Sequence, residues 1–277
     1  MSAMPNELNE LSDQQLSLII EQLANQTESA CIEAYKACCV KRRIAARIRR
    51  SGCQCFEQYL DRLVHDPAEG QLLAGSLSIH VSQFFRNSSM FETLQILLLP
   101  ELLKAGEGRR LRFWSIGCSA GQEPYSLAML LVEVYGRQAV PEQFEIEATD
   151  IDSRVLALAE AGCYAETGLR GISPERRERF FCEVDQGFLL RPEVRCLVHF
   201  GRMDLHRIEQ YQPSDLVLCR NTLIYFNRPA QEKILHGIAD ILPPGGILVL
   251  GKSESMPTPL RSRFATFDPV ERIYRRT

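Results

Sequence analysis

The chain has 277 residues, is 45% hydrophobic and 24% charged, and carries a formal net charge of −3. This fits a globular protein of one large or two modest domains, long enough for a real core, and it argues against a general nucleic-acid-binding surface. No apolar run reaches the 18 or so residues that a membrane-crossing helix needs, so no membrane insertion is expected.

The first residues, MSAMPNELNELSDQQ, have no basic segment followed by an apolar one, so no secretory signal is expected. The ten cysteines then read as reduced thiols of a cytoplasmic protein. Cys31, Cys38, Cys39, Cys53 and Cys55 crowd together, but none of their spacings is C-x-x-C and no histidine lies among them. No metal site is expected.

Residues 1–30 hold five acids and no lysine or arginine, whereas residues 41–50, KRRIAARIRR, hold six bases and no acid. Leu16, Ile19, Ile20 and Leu23 have helical spacing, and Ser12 with Gln15 makes a capping box before them. Val40, Ile44 and Ile48 form one side of a second helix; Arg43, Arg47 and Arg50 form another, cationic side. Phe56, Tyr59, Leu60 and Leu63 mark a third helix, and Leu72, Leu73 and Leu77 a fourth. An all-helical domain over residues 1–85 is expected, followed by a second domain over 86–277.

From Leu111 onward strands and helices alternate. The expected order is strand 111–116, helix 124–135, strand 144–149, helix 153–161 capped by Asp152 and closed by Gly162, then helix 174–181. Short strands follow at 188–190 and 196–200, a small β-subdomain at about 182–200. Then come a central strand at 216–219, a helix at 230–241 and a buried strand at 247–250. Residues 264–267 and 272–275 suit a closing antiparallel pair. Repeated βα units argue for an α/β, doubly wound sheet with helices on both faces.

The most informative stretch is Leu111 to Leu131, LRFWSIGCSAGQEPYSLAMLL. An apolar strand stops at the small-residue turn Gly117-Cys118-Ser119-Ala120-Gly121, and Glu123-Pro124 opens a helix. Two chemistries fit. Gly117-x-Ser119-x-Gly121 matches the nucleophile elbow of α/β-hydrolases, with Asp204 and His236 following in the right order. Alternatively, the turn cradles a nucleoside ligand, and the acid at the end of the next strand, Asp150, takes a ribose. An ordinary βα turn is the third possibility.

Four motifs recur in order: Ser82-Gln83-Phe84-Phe85-Arg86, Gly121-Gln122-Glu123-Pro124-Tyr125-Ser126, Ala148-Thr149-Asp150-Ile151-Asp152, and Cys219-Arg220-Asn221-Thr222-Leu223-Ile224-Tyr225-Phe226. With the closing Leu242-Pro243-Pro244-Gly245-Gly246 and Ser253-Glu254-Ser255 they resemble the chemotaxis receptor methyltransferases, the CheR-type protein-glutamate O-methyltransferases. The resemblance runs from about residue 35 to the end. It implies a class I methyltransferase-like sheet with an N-terminal helical domain.

The cofactor implied is S-adenosylmethionine, leaving as S-adenosylhomocysteine. The resemblance puts Ser82, Arg86, Gly117, Glu123, Asp150, Asp204, Leu205 and Asn221 around it. Glu123 would hold the ammonium of its amino-acid tail, Arg86 its carboxylate and Asp150 its ribose hydroxyls. Asp204-Leu205 stands where the family usually has Asn-Leu against adenine, and Ser82 where threonine is commoner. Tyr225 would sit beside the methyl group and Arg220 would pair with the incoming glutamate carboxylate. The implied partner is a chemoreceptor cytoplasmic domain, docked on Arg43, Arg47 and Arg50. The region 182–200, with Gly187 alone as glycine, looks too short to grip a C-terminal receptor peptide, so no tether is expected. A monomer is expected. A serine hydrolase and a non-catalytic cofactor sensor remain as other classes.

Overall fold

A computed structural model describes residues 11–26, 34–77 and 82–277. The chain divides into two compact units. One takes the residues up to 79 together with Tyr225–Ala230; the other takes His80–Ile224 and Gln231–Thr277.

The first unit holds α1 (Asp13–Gln26), α2 (Ala37–Ser51), α3 (Phe56–His65) and α4 (Pro67–Leu77). The capping box forms: the Gln15 N–H donates to Ser12 Oγ at 3.1 Å, and the Ser12 N–H donates to Gln15 Oε1 at 2.9 Å. Ile19, Leu23, Ile44, Ile48, Tyr59, Leu63 and Leu73 make the core. These are the apolar positions of the four helical patterns, brought face to face.

The cationic side of α2 is not the open stripe that its spacing suggests. Arg47 donates from Nε and Nη2 to both oxygens of Glu69, at 2.7 and 2.6 Å. Glu69 on α4 is 0% exposed, and Tyr59 of α3 donates its hydroxyl to Glu69 Oε1 at 3.0 Å. Arg62 lies 3.6 Å away. A carboxylate taken wholly out of water needs this compensation, so Arg47 ties three helices together and is not free for a partner. Arg43 is half-buried, and Arg50 is exposed.

Among its described residues the second unit holds ten strands: β1 (Leu111–Ile116), β2 (Phe144–Asp150), β3 (Cys163–Tyr164), β4 (Phe181–Val184), β5 (Gly187–Leu190), β6 (Val198–Arg202), β7 (Leu216–Cys219), β8 (Ile247–Leu250), β9 (Phe264–Asp268) and β10 (Ile273–Arg276). Seven form one mixed sheet in the order β6-β2-β1-β7-β8-β10-β9. Its first five strands are parallel, and β10 runs antiparallel to both β8 and β9. β7 and β8 are buried at every residue, as continuous apolar runs in a sheet covered on both faces should be. A smaller antiparallel sheet, β3-β5-β4, has a two-residue turn between β4 and β5.

The helices of this unit are a run at 88–105, then α7 (Gln122–Tyr135), α8 (Val140–Gln143), α9 (Ser153–Ala161), α10 (Pro174–Phe180), α11 (Pro192–Arg195) and α12 (Arg228–Ile241). Asp152 caps α9 by accepting the Arg154 N–H at 2.9 Å, as expected. The run at 88–105 was not legible in the sequence. It consists of α5 (Ser88–Thr93), a π-helical turn at Leu94–Leu98 and α6 (Leu99–Ala105), numbered before α7. Pro100 has no N–H for the Ile96 carbonyl, and the Leu99 N–H bonds to the Leu94 carbonyl instead, one residue further back than in an α-helix. Among the described residues no helix is long and apolar enough to cross a membrane.

The Glu69 cluster makes a stability prediction. Arg47→Ala leaves a buried carboxylate without its fork and should destabilise the protein by about 3 kcal/mol. Burial alone would raise Glu69's pKa, but the hydrogen bonds from Arg47 and Tyr59 outweigh it and hold the carboxyl below its ordinary range. The folded value is therefore the depressed one. The stabilisation is complete above the unfolded pKa of about 4.3 and is lost as pH falls through the lower folded value. Urea unfolding between neutral pH and pH 3 reads both effects. An unfolding midpoint unchanged by Arg47→Ala at neutral pH would show that the cluster does not stabilise the unit.

Candidate functional site

The register of the parallel strands brings the chemistry together. Ile116 of β1 lies opposite Thr149 of β2 and Cys219 of β7, and Cys219 lies opposite Leu250 of β8. The residues that follow these four strand ends therefore share one carboxyl edge: the Gly117–Gly121 turn, Asp150, Arg220-Asn221 and Gly251. That edge is where open α/β sheets bind ligands.

The turn after β1 is tied to β2. The Gly117 and Cys118 N–H groups donate to the Thr149 carbonyl at 2.8 and 3.0 Å. Gly117 has φ +66°, and a Cβ there would lie 2.4 Å from Thr222 Oγ1, so only glycine fits. Asp150 is buried, with Oδ2 accepting the Ser119 N–H at 2.9 Å and Oδ1 the Asp152 N–H at 3.1 Å. Two backbone bonds aim this carboxylate and leave it lone pairs for a ligand.

Glu123 stands in the first turn of α7. Its Oε1 accepts the Ser115 hydroxyl at 2.8 Å, and its Oε2 accepts Arg220 Nη1 at 3.0 Å. Arg220 also donates from Nη2 to the Arg86 carbonyl at 2.7 Å and to Asn87 Oδ1 at 2.8 Å. Its side chain is only 3% exposed. The sequence reading gives Arg220 an incoming carboxylate; in this structure both of its terminal nitrogens bond to its own protein. It positions Glu123 and the segment that presents Arg86. That segment is strained: Phe85 and Asn87, on either side of half-buried Arg86, have φ +47° and +62°. The Phe85 N–H is held by Ser126 Oγ at 2.9 Å.

Asp204 follows β6. Its Oδ1 accepts the His206 N–H at 2.9 Å and lies 3.4 Å from His206 Nδ1. Burial raises its pKa, but His206 outweighs that and keeps the carboxyl below its usual range. The Met203 N–H donates to the Asp150 carbonyl at 3.0 Å, which keeps Asp204 next to Asp150 along the chain path. Leu205 is buried and its carbonyl accepts the Tyr211 hydroxyl at 2.6 Å. Ser82 and Asn221 are half-buried. The hydrolase alternative does not assemble, since Asp204 faces His206 and His236 lies exposed on α12. The neighbouring thiols are inert: burial pushes Cys118 and Cys219 well above the ordinary thiol range.

Sequence reasoning missed two residues at this edge. Gln122, before Glu123, is buried with Oε1 lacking a hydrogen-bond partner among the described residues. Glu254, after β8, accepts backbone N–H groups of the Asn221–Ile224 turn. Both sit inside quoted motifs, but polar residues in a small-residue context carry no burial signal.

Tyr225 belongs to the helical unit. There the Arg43 guanidinium lies over its ring at 5.1 Å, Tyr35 stacks on Phe226 at 4.5 Å, and the Lys36 N–H donates to the Tyr225 carbonyl at 2.8 Å. Arg43 Nη2 is buried with no hydrogen-bond partner among the described residues. Burial lowers this guanidinium's pKa, with the Tyr225, Cys39 and Tyr35 side chains partly offsetting it and Arg42 adding to the lowering.

Residues 80–270 match the family model of the CheR methyltransferase SAM-binding domain, and residues 15–78 match that of its all-alpha domain. The chain belongs to the CheR methyltransferase family. It is 38% identical to a probable chemotaxis protein methyltransferase of Rhizobium etli, over 79% of this chain and 84% of that one. It is 35% identical to the chemotaxis protein methyltransferase of Klebsiella aerogenes, over 85% of this chain and 81% of that one. The probable biofilm formation methyltransferase WspC of Pseudomonas aeruginosa is 34% identical over 84% of this chain, which spans 56% of that protein. Among solved structures, the N-methyltransferase NodS of Bradyrhizobium japonicum with S-adenosylhomocysteine is 15% identical, with TM-score 0.32, covering 61% of this chain and 62% of that one.

The cofactor of this CheR-family protein is S-adenosylmethionine. The edge fits it: the unpartnered Gln122 Oε1, the Glu123 and Asp150 carboxylates and the bare backbone at Gly117 suit a ligand with an ammonium, hydroxyls and a close approach. Among the described residues no group of three His, Cys, Asp or Glu is gathered to hold a metal.

The Arg220–Glu123 pair can be tested by pairwise removal. Arg220→Met strands Glu123 and should destabilise by about 3 kcal/mol. Adding Glu123→Gln removes the stranded charge and should restore much of that loss. Thermal denaturation of the two variants reads the coupling. A double variant less stable than Arg220→Met would contradict it.

Proposed function

We propose that this protein transfers the methyl group of S-adenosylmethionine to glutamate side chains on the cytoplasmic helices of a chemoreceptor, forming glutamyl methyl esters for chemotaxis-type adaptation. It acts as a cytoplasmic monomer. The relatives named as chemotaxis protein methyltransferases support the pathway. The observation that carries the acceptor is Arg43: a half-buried cation with an unpartnered donor lying on the ring of Tyr225. A desolvated guanidinium with an unsatisfied donor suits a carboxylate.

When bound, the cofactor supplies a methyl group on a positively charged sulfur, open to displacement by a carboxylate. In this reading Asp150 accepts the ribose hydroxyls, Glu123 and Gln122 hold the ammonium, and Arg86 forks onto the tail carboxylate. Asp204, Leu205 and Asn221 border the base and the reacting end, with Ser82 adding a hydroxyl. Asp204 accepts from an adenine amino group but cannot donate, which sets it apart from the usual asparagine. An acceptor glutamate is ionised at neutral pH, its pKa being about 4.3, so the protein needs no general base. Its work is alignment and exclusion of water. Arg43 neutralises the arriving carboxylate and Tyr225 orients it.

The docking surface changes accordingly. Arg43 and the exposed Arg50 remain available to an acidic receptor helix, whereas Arg47 is committed to Glu69. The two-residue turn between β4 and β5 supports recognition without a C-terminal peptide tether. Both points belong to the same proposal.

Incubation with labelled S-adenosylmethionine and chemoreceptor cytoplasmic domains should give base-labile methyl label on glutamate; no label, or label stable to base, would refute the reading. Asp150→Ala should weaken S-adenosylhomocysteine binding by about 1–3 kcal/mol in calorimetry. An unchanged affinity would remove Asp150 from the cofactor. Arg43→Ala should raise the KM for receptor at least tenfold and leave cofactor affinity unchanged, with Ser119→Ala near wild type in both. Equal receptor KM values for Arg43→Ala and wild type would exclude Arg43 from the acceptor.

A further inference from the structure

The carboxylate of Glu254 has no role in the functional reading above, yet its surroundings are unusual. It is 5% exposed, and among the described residues no lysine or arginine pairs with it. Its Oε2 accepts the Gly251 N–H at 2.6 Å and the Asn221 N–H at 3.0 Å, and its Oε1 accepts the Ile224 N–H at 3.2 Å. Every hydrogen bond it makes here comes from a backbone donor. Three of those donors sit on two segments that follow adjacent parallel strands, β7 and β8. The approach is close: a Cβ on Gly251 would stand 2.7 Å from the Asn221 backbone nitrogen and 2.8 Å from Glu254 Oε2. Asn221 itself has φ +57°, in the left-handed region that asparagine adopts more readily than most residues.

We propose that Glu254 is a positioning residue that holds the Asn221–Ile224 turn in its working conformation only while its carboxylate is ionised, and so sets the alignment of the residues that reach the reacting groups. The reason lies in the donors. A carboxylate offers acceptors on both oxygens. A protonated carboxyl or an amide offers a donor on one side, and there it would face an N–H. One oxygen then loses its bonds, and the turn loses one of its two attachments, Ile224 on Oε1 or Asn221 on Oε2. Tyr225 is the next residue in the chain, so release of the turn removes one constraint on its main chain and leaves the Lys36 N–H on its carbonyl.

The groups around Glu254 allow such a switch. The titratable side chain beside it is the Cys219 thiol at the end of β7, which burial and the charges of Glu254 and Glu123 keep protonated. Arg220, next to Asn221, faces Glu123, and Lys252 pairs with Glu271 at 3.2 Å. Burial raises Glu254's pKa, and the Gly251, Asn221, Ile224 and Leu223 N–H groups lower it without cancelling the effect. With a raised pKa, Glu254 gains its proton at a higher pH than an ordinary glutamate, and the turn is released there as pH falls.

The activity part of this proposal rests on the methyltransferase reading; its structural part does not. Hydrogen–deuterium exchange of the wild-type protein, corrected for intrinsic rates, tests the latter. Peptides covering Asn221–Ile224 should lose protection at least tenfold between pH 7.5 and pH 5, while β7 and β8 stay protected. Glu254→Gln should be unprotected in the turn at both pH values. Its kcat should fall at least tenfold and lack the acid limb of the wild-type profile, and Glu254→Asp should regain part of the rate and the limb. If Glu254→Gln does not fold, the wild-type exchange decides alone. Turn protection that is independent of pH, or equal in wild type and Glu254→Gln, would overturn the proposal. Absence of methyl ester with pH-dependent exchange intact would instead fault the acceptor reading.

Discussion

The arrangement of the site depends on one buried ion pair, Arg220 with Glu123. Three segments meet in it. Arg220 extends from the end of β7, Glu123 from the first turn of α7, and the Arg86 carbonyl and Asn87 side chain from the strained segment before α5. A buried pair of this kind adds little net stability, since desolvation offsets much of its Coulomb energy. Its directed bonds matter more. They fix the rotamer of a carboxylate in a nucleoside-binding edge and the backbone that carries Arg86. A lysine would keep the charge and lose the fork.

Burial sorts the arginines of this chain into different tasks. Arg47 and Arg220 each face a carboxylate inside their own unit and shape the fold. Arg43 is half-buried, lies on an aromatic ring and has one buried donor with no hydrogen-bond partner among the described residues, so its charge is not committed to a carboxylate as those of Arg47 and Arg220 are. The carboxylates divide in the same way. Glu69 is compensated by cations and Glu254 by backbone N–H groups. Asp150 is aimed by two backbone bonds with lone pairs left over. Charge alone says little about which of these meets a ligand.

The alternation of β and α was legible because its signals are local. Continuous apolar runs mark β1, β7 and β8, Asp152 caps α9, and Ser12 with Gln15 caps α1 as read. The Gly117 turn and Asp150 were legible because a glycine turn and an acid at the next strand end are also short-range patterns. The side-chain pairings that the sequence does not show are long-range. Arg47 and its partner Glu69 are 22 residues apart, and Arg220 and Glu123 are 97 apart. Nothing in the local sequence tells an arginine that will be buried from one that will be exposed. The run at 88–105 was missed because Pro100 and the π-helical turn break the regular 3.6-residue repeat. Tyr225 lies beyond a strand end but packs with the helical unit, which a linear division at residue 85 cannot express.

The central claim is that Arg220 organises the cofactor edge from within and does not meet the methyl acceptor. A crystal structure of the complex with S-adenosylhomocysteine tests it most directly. The account predicts that Arg220 keeps its bonds to Glu123, the Arg86 carbonyl and Asn87, while the ligand's ribose hydroxyls lie on Asp150 and its ammonium on Glu123. An Arg220 guanidinium released from Glu123 and turned into the open acceptor space would contradict it.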